Sequence, residues 1–349
     1  MSQIKTKGNT SLGILLLKGR AFIALAILLI FFCFRAPNFT EWSSIVLMIK
    51  HASIYGLLAL GMTMVIITGG IDLSVGSIVG LSGMIAGGMI IEGIRLPFIQ
   101  GTIYPNVPLI LLIVFALAIL VGLCSGALVS KVKVPAFIAT LGTMYICRGF
   151  AMLRSGGATF PNLFGSAEKG NLGFDLIGSG AIPGIDLPYS IIIFLVMALV
   201  AAFIMKKTPL GNQICAVGGN ERAATLSGIK INKVKIFVYV FSAFCASLAG
   251  IIMTSQLRAA HPATGESWEM NAIASVIIGG TSMSGGIGTI GGTIIGVLVI
   301  TVLNDGMIMM GVSSFWQMVI KGVVIIVAVV IDLMQKDLQK KAALQARLK

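Results

Sequence analysis

Asp72 is one of only twelve acidic residues in 349, and it lies in the run TGGIDLSVGS (68–77) between two apolar segments. A carboxylate at the centre of a membrane span costs about 2.5–3.5 kcal/mol on insertion scales, so it must be hydrogen-bonded, paired or wet. Two roles fit its spacing. Asp72 or Ser74 can cap a helix that begins near Val75, accepting its free N–H groups. Alternatively, Gly69, Gly70 and Gly76 break a span so that Thr68, Asp72 and Ser74 face a polar pathway. Phe137, behind Pro135, and Asn304 extend that set as a gate or stacking aromatic and as a polar liner for an uncharged polyol. Arg148 and Lys321 are basic residues within apolar runs. Arg148 is expected to snorkel outward, and Lys321 to pair with a carboxylate or carbonyl.

A second constellation occupies the polar stretch 208–235. Asn220 is a good N-cap, Glu221 follows in the first turn, and Gly228 stands where a C′ residue belongs. The pattern predicts a helix of about two turns over 221–227, too short to persist unless packed on something. Lys206, Lys207, Lys230, Lys233 and Lys235 flank it, which places the stretch on the cytoplasmic side by the positive-inside rule. A short docked helix there is a handle for a soluble partner, and Asn220, Glu221, Ala223, Ala224 and Gly228 are its expected core.

Other chemistries lack their residues. There is no Gly-x-x-x-x-Gly-Lys-[Ser/Thr] phosphate loop, no Gly-x-Ser-x-Gly elbow and no His-Glu-x-x-His pair, and the only histidines are His51 and His261. An enzyme is not expected, nor a metal or cofactor held by this chain. The five cysteines form no ligand spacing or disulfide frame and read as small hydrophobes.

The elements that must position these residues are membrane spans. The chain is 57% hydrophobic and only 11% charged, about half the charged fraction of soluble domains. Its net charge of +13 comes largely from lysines and arginines at span ends, which records topology and not a nucleic-acid partner. Ten apolar segments are expected to cross or partly cross: 19–34, 46–68, 74–91, 108–130, 135–153, 189–205, 235–256, 271–283, 288–304 and 315–333. The first, sixth, eighth and ninth are short, and a pair of half-spans is an alternative to two full crossings. The run 21–34 reads as a retained span and not a removed signal. The fold class is therefore all-α polytopic membrane protein, with residues 1–334 as one transmembrane domain, a loop at 206–235 and a basic cytoplasmic tail at 335–349. An even count puts both termini inside.

The sequence also echoes itself. GGIDLSVG (69–76) and GGTSMSGG (279–286) both fit Gly-Gly-x-x-[Leu/Met]-Ser-x-Gly, each after an apolar strip. Gly279, Gly280, Gly285 and Gly286 are thus expected to break a second helix as Gly69, Gly70 and Gly76 break the first. Matching breaks mark a transporter built from two pseudo-repeated halves. Close-packing glycines of tight helix crossings would leave the same trace.

TGGIDLSVGS (68–77) strongly resembles the permease subunits of bacterial ABC sugar importers, in their ribose-type branch. GGNERAATLSGIKINKVKIFVY (218–239) is similar to that branch's coupling-helix segment. PNFT (37–40) and VPAFIATLGTM (134–144) fit its first half. SLAGIIMTSQL (247–257), AIASVIIGGTSMSGGIGTIGGT (272–293) and GVSSFWQMVIKG (311–322) fit its second. The resemblance implies two permease copies in the inner membrane, a cytoplasmic ATP-binding subunit that uses the ATP, and a periplasmic sugar-binding protein. It implies that 221–228 sits in the ATPase groove and that 154–188 and 258–269 receive the binding protein. The implied sugar is ribose first, with xylose, galactose, allose, arabinose or a quorum-signal furanose as alternatives. A secondary carrier coupled to protons or sodium through Asp72 is the competing reading, and a scaffold without transport the third.

Overall fold

The structure, a computed structural model, describes residues 19–95, 101–184 and 186–347; the expected basic positions Lys5, Lys7, Lys18 and Lys349 lie outside them. Of the described residues, 71% are helical, which places the chain in the all-α class. The helices are α1 (Arg20–Arg35), α2 (Trp42–Ile67), α3 (Val75–Ile91), α4 (Val107–Ala127), α5 (Ala136–Leu153), α6 (Leu176–Ser179), α7 (Tyr189–Lys207), α8 (Pro209–Gly219), α9 (Glu221–Leu226), α10 (Ile231–Leu257), α11 (Trp268–Ile278), α12 (Ile290–Met309) and α13 (Ser314–Arg347). A single π-helical turn, Leu128–Val132, extends α4. Two small antiparallel hairpins join Ile94–Arg95 to Thr102–Ile103 and Ala181–Ile182 to Leu187–Pro188.

Seven of these helices are long and apolar enough to cross a membrane: α2, α4 with its π turn, α5, α7, α10, α12 and the first 18 residues of α13. Three of the expected spans, now α1, α3 and α11, are shorter apolar helices. The largest departure is the eighth segment. Its helix ends at Ile278 because Gly279 and Gly280 stop it, so 281–289 is a loop and not a continuation of the span. The other departure is α8, which fills a stretch expected to be loop. Pro209 at its first position tolerates the missing N–H and fixes the helical φ.

The core is built around α2 and α10. Almost every residue of α2 from Ser53 to Ile67 is buried. α10 packs on α2, α3 and α4, and with 27 residues it runs about 40 Å between the two ends of the bundle. Lipid-facing helices gain no hydrophobic energy from one another, so small residues that let backbones meet decide the packing. Gly122 and Gly126, a Gly-x-x-x-Gly pair on α4, do this against Val240 and Ile236 of α10, where an added Cβ would come to 2.7 Å from either Cα. Gly61 does the same against Ser242. Polar contacts add to the packing of α2 on α12. Thr63 and Thr293 share a hydrogen bond of 2.7 Å, and His51 Nδ1 lies 3.0 Å from both carboxylate oxygens of Asp305. The outer surface is apolar: α13 exposes Phe315, Trp316, Met318, Val323 and Ile326, and α4 exposes Leu112 and Leu120.

The ends of α10 define two polar faces. At its start, Lys235 meets α9. At its end, Arg258 pairs with Asp175 at 3.2 Å, and the 160 and 260 segments bridge through Phe160 and Ala260.

Candidate functional site

The first glycine break is a helix cap. α2 ends with Thr68 as C-cap and Gly69 as C′ at φ +81°. The Gly70 N–H donates to Val65 O at 3.0 Å and the Gly69 N–H to Ile66 O at 2.9 Å, the paired bonds of a Schellman motif. α11 ends in the same way. Gly279 is its C-cap and Gly280, at φ +94°, its C′, with Thr281 N–H bonded to Val276 O and Gly280 N–H to Ile277 O. The two caps are offset by one residue from the sequence echo. Gly285 and Gly286 keep positive φ in the following loop, whereas Gly76 lies inside α3. Gly76 therefore breaks nothing; its missing Cβ admits the Gly265 carbonyl, which would stand 2.2 Å from one.

The two breaks touch. The Gly286 N–H donates to Ile67 O, the last helical carbonyl of α2, at 2.8 Å. Gly218 of α8 closes over that bond: a Cβ there would sit 1.7 Å from Ile67 O and 2.6 Å from Gly286 N.

Asp72 is buried and fully hydrogen-bonded. Its Oδ1 accepts from the Ser74 N–H at 3.0 Å and the Ser74 hydroxyl at 2.6 Å, and Oδ2 accepts from the Ser242 hydroxyl of α10 at 2.8 Å. The expected cap of α3 is thus replaced. Asp72 takes the N–H of the N-cap residue itself, and Ser74 spends its hydroxyl on Asp72 instead of on the first turn. Nearby, Thr140 of α5 donates to Ala136 O, with Ile71 O also within reach at 3.2 Å.

α9 forms as its residues dictate. Asn220 Oδ1 accepts from the Ala223 N–H at 3.0 Å. Ser227 is the C-cap, one residue earlier than a helix over 221–227 requires, and Gly228 is C′ at φ +81°. Gly228 N–H to Thr225 O and Ile229 N–H to Ala224 O complete a third Schellman motif. Ala224 is buried, and the Lys235 ammonium donates to Glu221 Oε2 at 2.8 Å. Leu226 is 91% exposed at the tip. The sequence reading missed Leu226; a large apolar residue inside a capped polar helix was the available signal. Half-buried Cys215 on α8 has its thiol pushed above its usual range by desolvation, which leaves it protonated and inert.

Between α9 and the first break lies a cavity of about 870 Å³. Thr68, Gly69 and Gly70 form one wall, Glu221, Arg222 and Thr225 another, with Lys133, Lys230 and Lys235 around them. Tyr239 and Ser130 also border it, and both hydroxyls are buried without a hydrogen-bond partner. Thr68, Gly69, Gly70 and Glu221 are thus brought together. Asp72 and Ser74 are buried nearby without bordering the cavity. Phe137 is half-exposed and does not line it. Asn304 is buried in α12 with both amide atoms unpaired and also lies outside it. Arg148 turns inward instead of snorkelling, because it donates to the free carbonyls of Pro262 and Thr264. A smaller cavity of about 280 Å³ lies beside it.

Comparison with known proteins gives a consistent picture. The family described as branched-chain amino acid transport system / permease component matches residues 44–329. A relative named ribose import permease protein RbsC from Haemophilus influenzae is 43% identical over 324 residues, covering 93% of this chain and 95% of its own. One of the same name from Bacillus subtilis is 42% identical over 320 residues, 89% and 91% of the two chains. A xylose transport system permease protein XylH from Haemophilus influenzae is 31% identical, covering 90% and 95%. No solved structure matches the chain.

Proposed function

This chain belongs to the branched-chain amino acid transport system / permease component family, and from that premise we propose that it is the membrane permease subunit of an ATP-driven monosaccharide importer, with ribose as its sugar. The relatives named for ribose are more similar to it than the one named for xylose, and that ordering favours ribose. The permease does no covalent chemistry. ATP is used by a cytoplasmic partner, and an extracytoplasmic protein delivers the sugar.

The observation that carries the mechanism is the join between α9 and the glycine breaks. α9 is the element that seats in the ATPase, presenting Arg222, Ala223 and Leu226 while Ala224 holds it to the body. Its motion has two routes inward. One runs through the Glu221–Lys235 pair to Tyr239 and Ser242, which follow Lys235 on one face of α10 at i+4 and i+7. Tyr239 abuts Gly70, and Ser242 holds Asp72. The other route runs through Gly218 to Ile67 O and Gly286 N.

The α9 face is cytoplasmic, with both termini, since Lys206, Lys207, Lys230, Lys233 and Lys235 gather there. Ten segments, three of them short, make two pseudo-repeated halves whose breaks are α2–α3 and α11–α12; the shared cap geometry supports that pairing. Residues 1–334 form one permease domain with 335–349 as a cytoplasmic tail, and two copies in the lipid bilayer complete the pathway. Ion coupling through Asp72 is disfavoured, because that carboxylate accepts three hydrogen bonds and borders neither cavity.

The test is uptake of radiolabelled ribose by membranes carrying this chain with its ATPase and delivery protein. Uptake requires ATP and disappears in Glu221→Lys at equal membrane abundance. Uptake indifferent to both the ATPase and the substitution would sink the assignment.

A further inference from the structure

At the other end of α5 from the α9 cavity, Arg148 stands about 18 Å along the helix axis from Ala136. The cavity of about 280 Å³ beside it is bordered by Ser77 of α3, Tyr145 and Arg148 of α5, and Glu266, Ser267 and Glu269. Its floor is built by close backbone approach. Gly76 and Gly80, one turn apart on α3, admit the carbonyls of Pro262, Thr264 and Gly265, which an added Cβ would meet at 2.2–3.0 Å. The Arg148 guanidinium spans that gap, donating to Pro262 O, Thr264 O and, at 3.5 Å, Gly76 O. It is thereby fixed in place, and Glu266 and Glu269 lie within electrostatic reach of it. Neither carboxylate has an ion-pair partner within 4.0 Å among the described residues. Glu269 is buried, Glu266 is exposed, and the Tyr145 ring is 68% exposed at the rim.

An arginine and two acidic side chains at one cavity are not stable against lipid, so this cavity faces water or a partner copy. Its donor set selects the occupant. Carboxyl oxygens are hydrogen-bond acceptors, so two of these groups call for a ligand rich in donors. Arg148 sets a positive charge beside them and opposes a cation. An exposed aromatic face suits the C–H side of a ring, and a volume just under the usual range for small-molecule sites suits a ligand smaller than a drug. A neutral polyol satisfies all of these conditions.

We propose that this cavity is a sugar-hydroxyl subsite on the entry side of the pathway. Glu266 and Glu269 accept from ring hydroxyls, Tyr145 packs against the ring, and Arg148 positions the 262–265 backbone. The proposal rests on the importer reading above. It is tested in proteoliposomes of the complete transporter with its ATPase and delivery protein, reading radiolabelled ribose uptake and ATP hydrolysis in the same sample for Glu266→Ala, Tyr145→Ala and Tyr145→Phe. Loss of a hydrogen bond to a charged group predicts a drop of about tenfold or more in sugar moved per ATP for Glu266→Ala. Tyr145→Ala lowers the same ratio, and Tyr145→Phe, which keeps the ring, restores it. Wild-type ratios in both alanine variants overturn the subsite. So does an equal fall of uptake and ATP hydrolysis, which assigns these residues to docking the delivery protein. A wild-type complex that hydrolyses ATP yet moves no ribose, xylose or galactose overturns the importer reading instead.

Discussion

The ammonium of Lys235 lies 2.8 Å from the Glu221 carboxylate, and this contact ties the first residue of α9 to the start of α10. Lys235 is mostly shielded and Glu221 about half exposed, so the pair adds at most about 1 kcal/mol to stability. Its importance is geometric. Reversing either charge alone, Glu221→Lys or Lys235→Glu, is expected to cut ribose uptake sharply while membrane abundance stays level. The double reversal is expected to recover a large part of it. A double variant as impaired as the worse single one would place Glu221's role on the partner and not on Lys235.

α9 has six residues and holds its shape through its caps. Asn220→Ala removes the bond to the Ala223 N–H and costs about 1 kcal/mol of local helix stability. Weaker ATPase binding in a pull-down from detergent is the expected result. Leu226→Asp leaves every cap in place and alters only the exposed tip. It is expected to lose the ATPase more completely than Asn220→Ala, and retention of wild-type binding would remove Leu226 from the contact.

Asp72→Ala strands the Ser74 and Ser242 donors, each costing about 1–3 kcal/mol when buried and unpaired. Reduced thermal stability of the purified permease is the measurement. Asp72→Asn keeps an acceptor oxygen and is expected to retain ATP-driven uptake in the presence of a protonophore. Loss of uptake in Asp72→Asn, with stability intact, would revive coupling to an ion.

Gly218→Ala drives a methyl into the Gly286–Ile67 hydrogen bond. Transport is expected to fall although α9, its caps and its partner contact remain. Gly219→Ala is the control, since nothing lies within 4 Å of a Cβ at that position. Equal uptake by the two variants would show that α8 transmits nothing through this junction.

Much of this was legible in the sequence because it was local. Asn220, Gly228 and the 69–70 and 279–280 glycine pairs dictate caps through their own φ and side-chain preferences, and the helices end where those residues stand. The ten apolar segments all carry helix for the same reason. What the sequence hid was tertiary. Nothing in a linear reading brings Gly286 to Ile67 or Ser242 to Asp72, separations of 219 and 170 residues. Arg148 was expected to reach outward because the loop whose carbonyls it holds lies more than 110 residues away. Phe137 and Asn304 were placed on a pathway by residue type alone, and neither borders the cavity beside α9.

The closure of α9 on itself has a consequence for how such machines diversify. Its N-cap, its C-terminal turn and its single buried anchor all come from residues 220–229, and one lysine outside that stretch holds it in place. The plug is therefore an interchangeable part. On the coupling role proposed above, replacing Arg222, Ala223 and Leu226 rewrites what α9 fits and leaves its own caps and anchor in place, so a lineage can change its engine while keeping its channel.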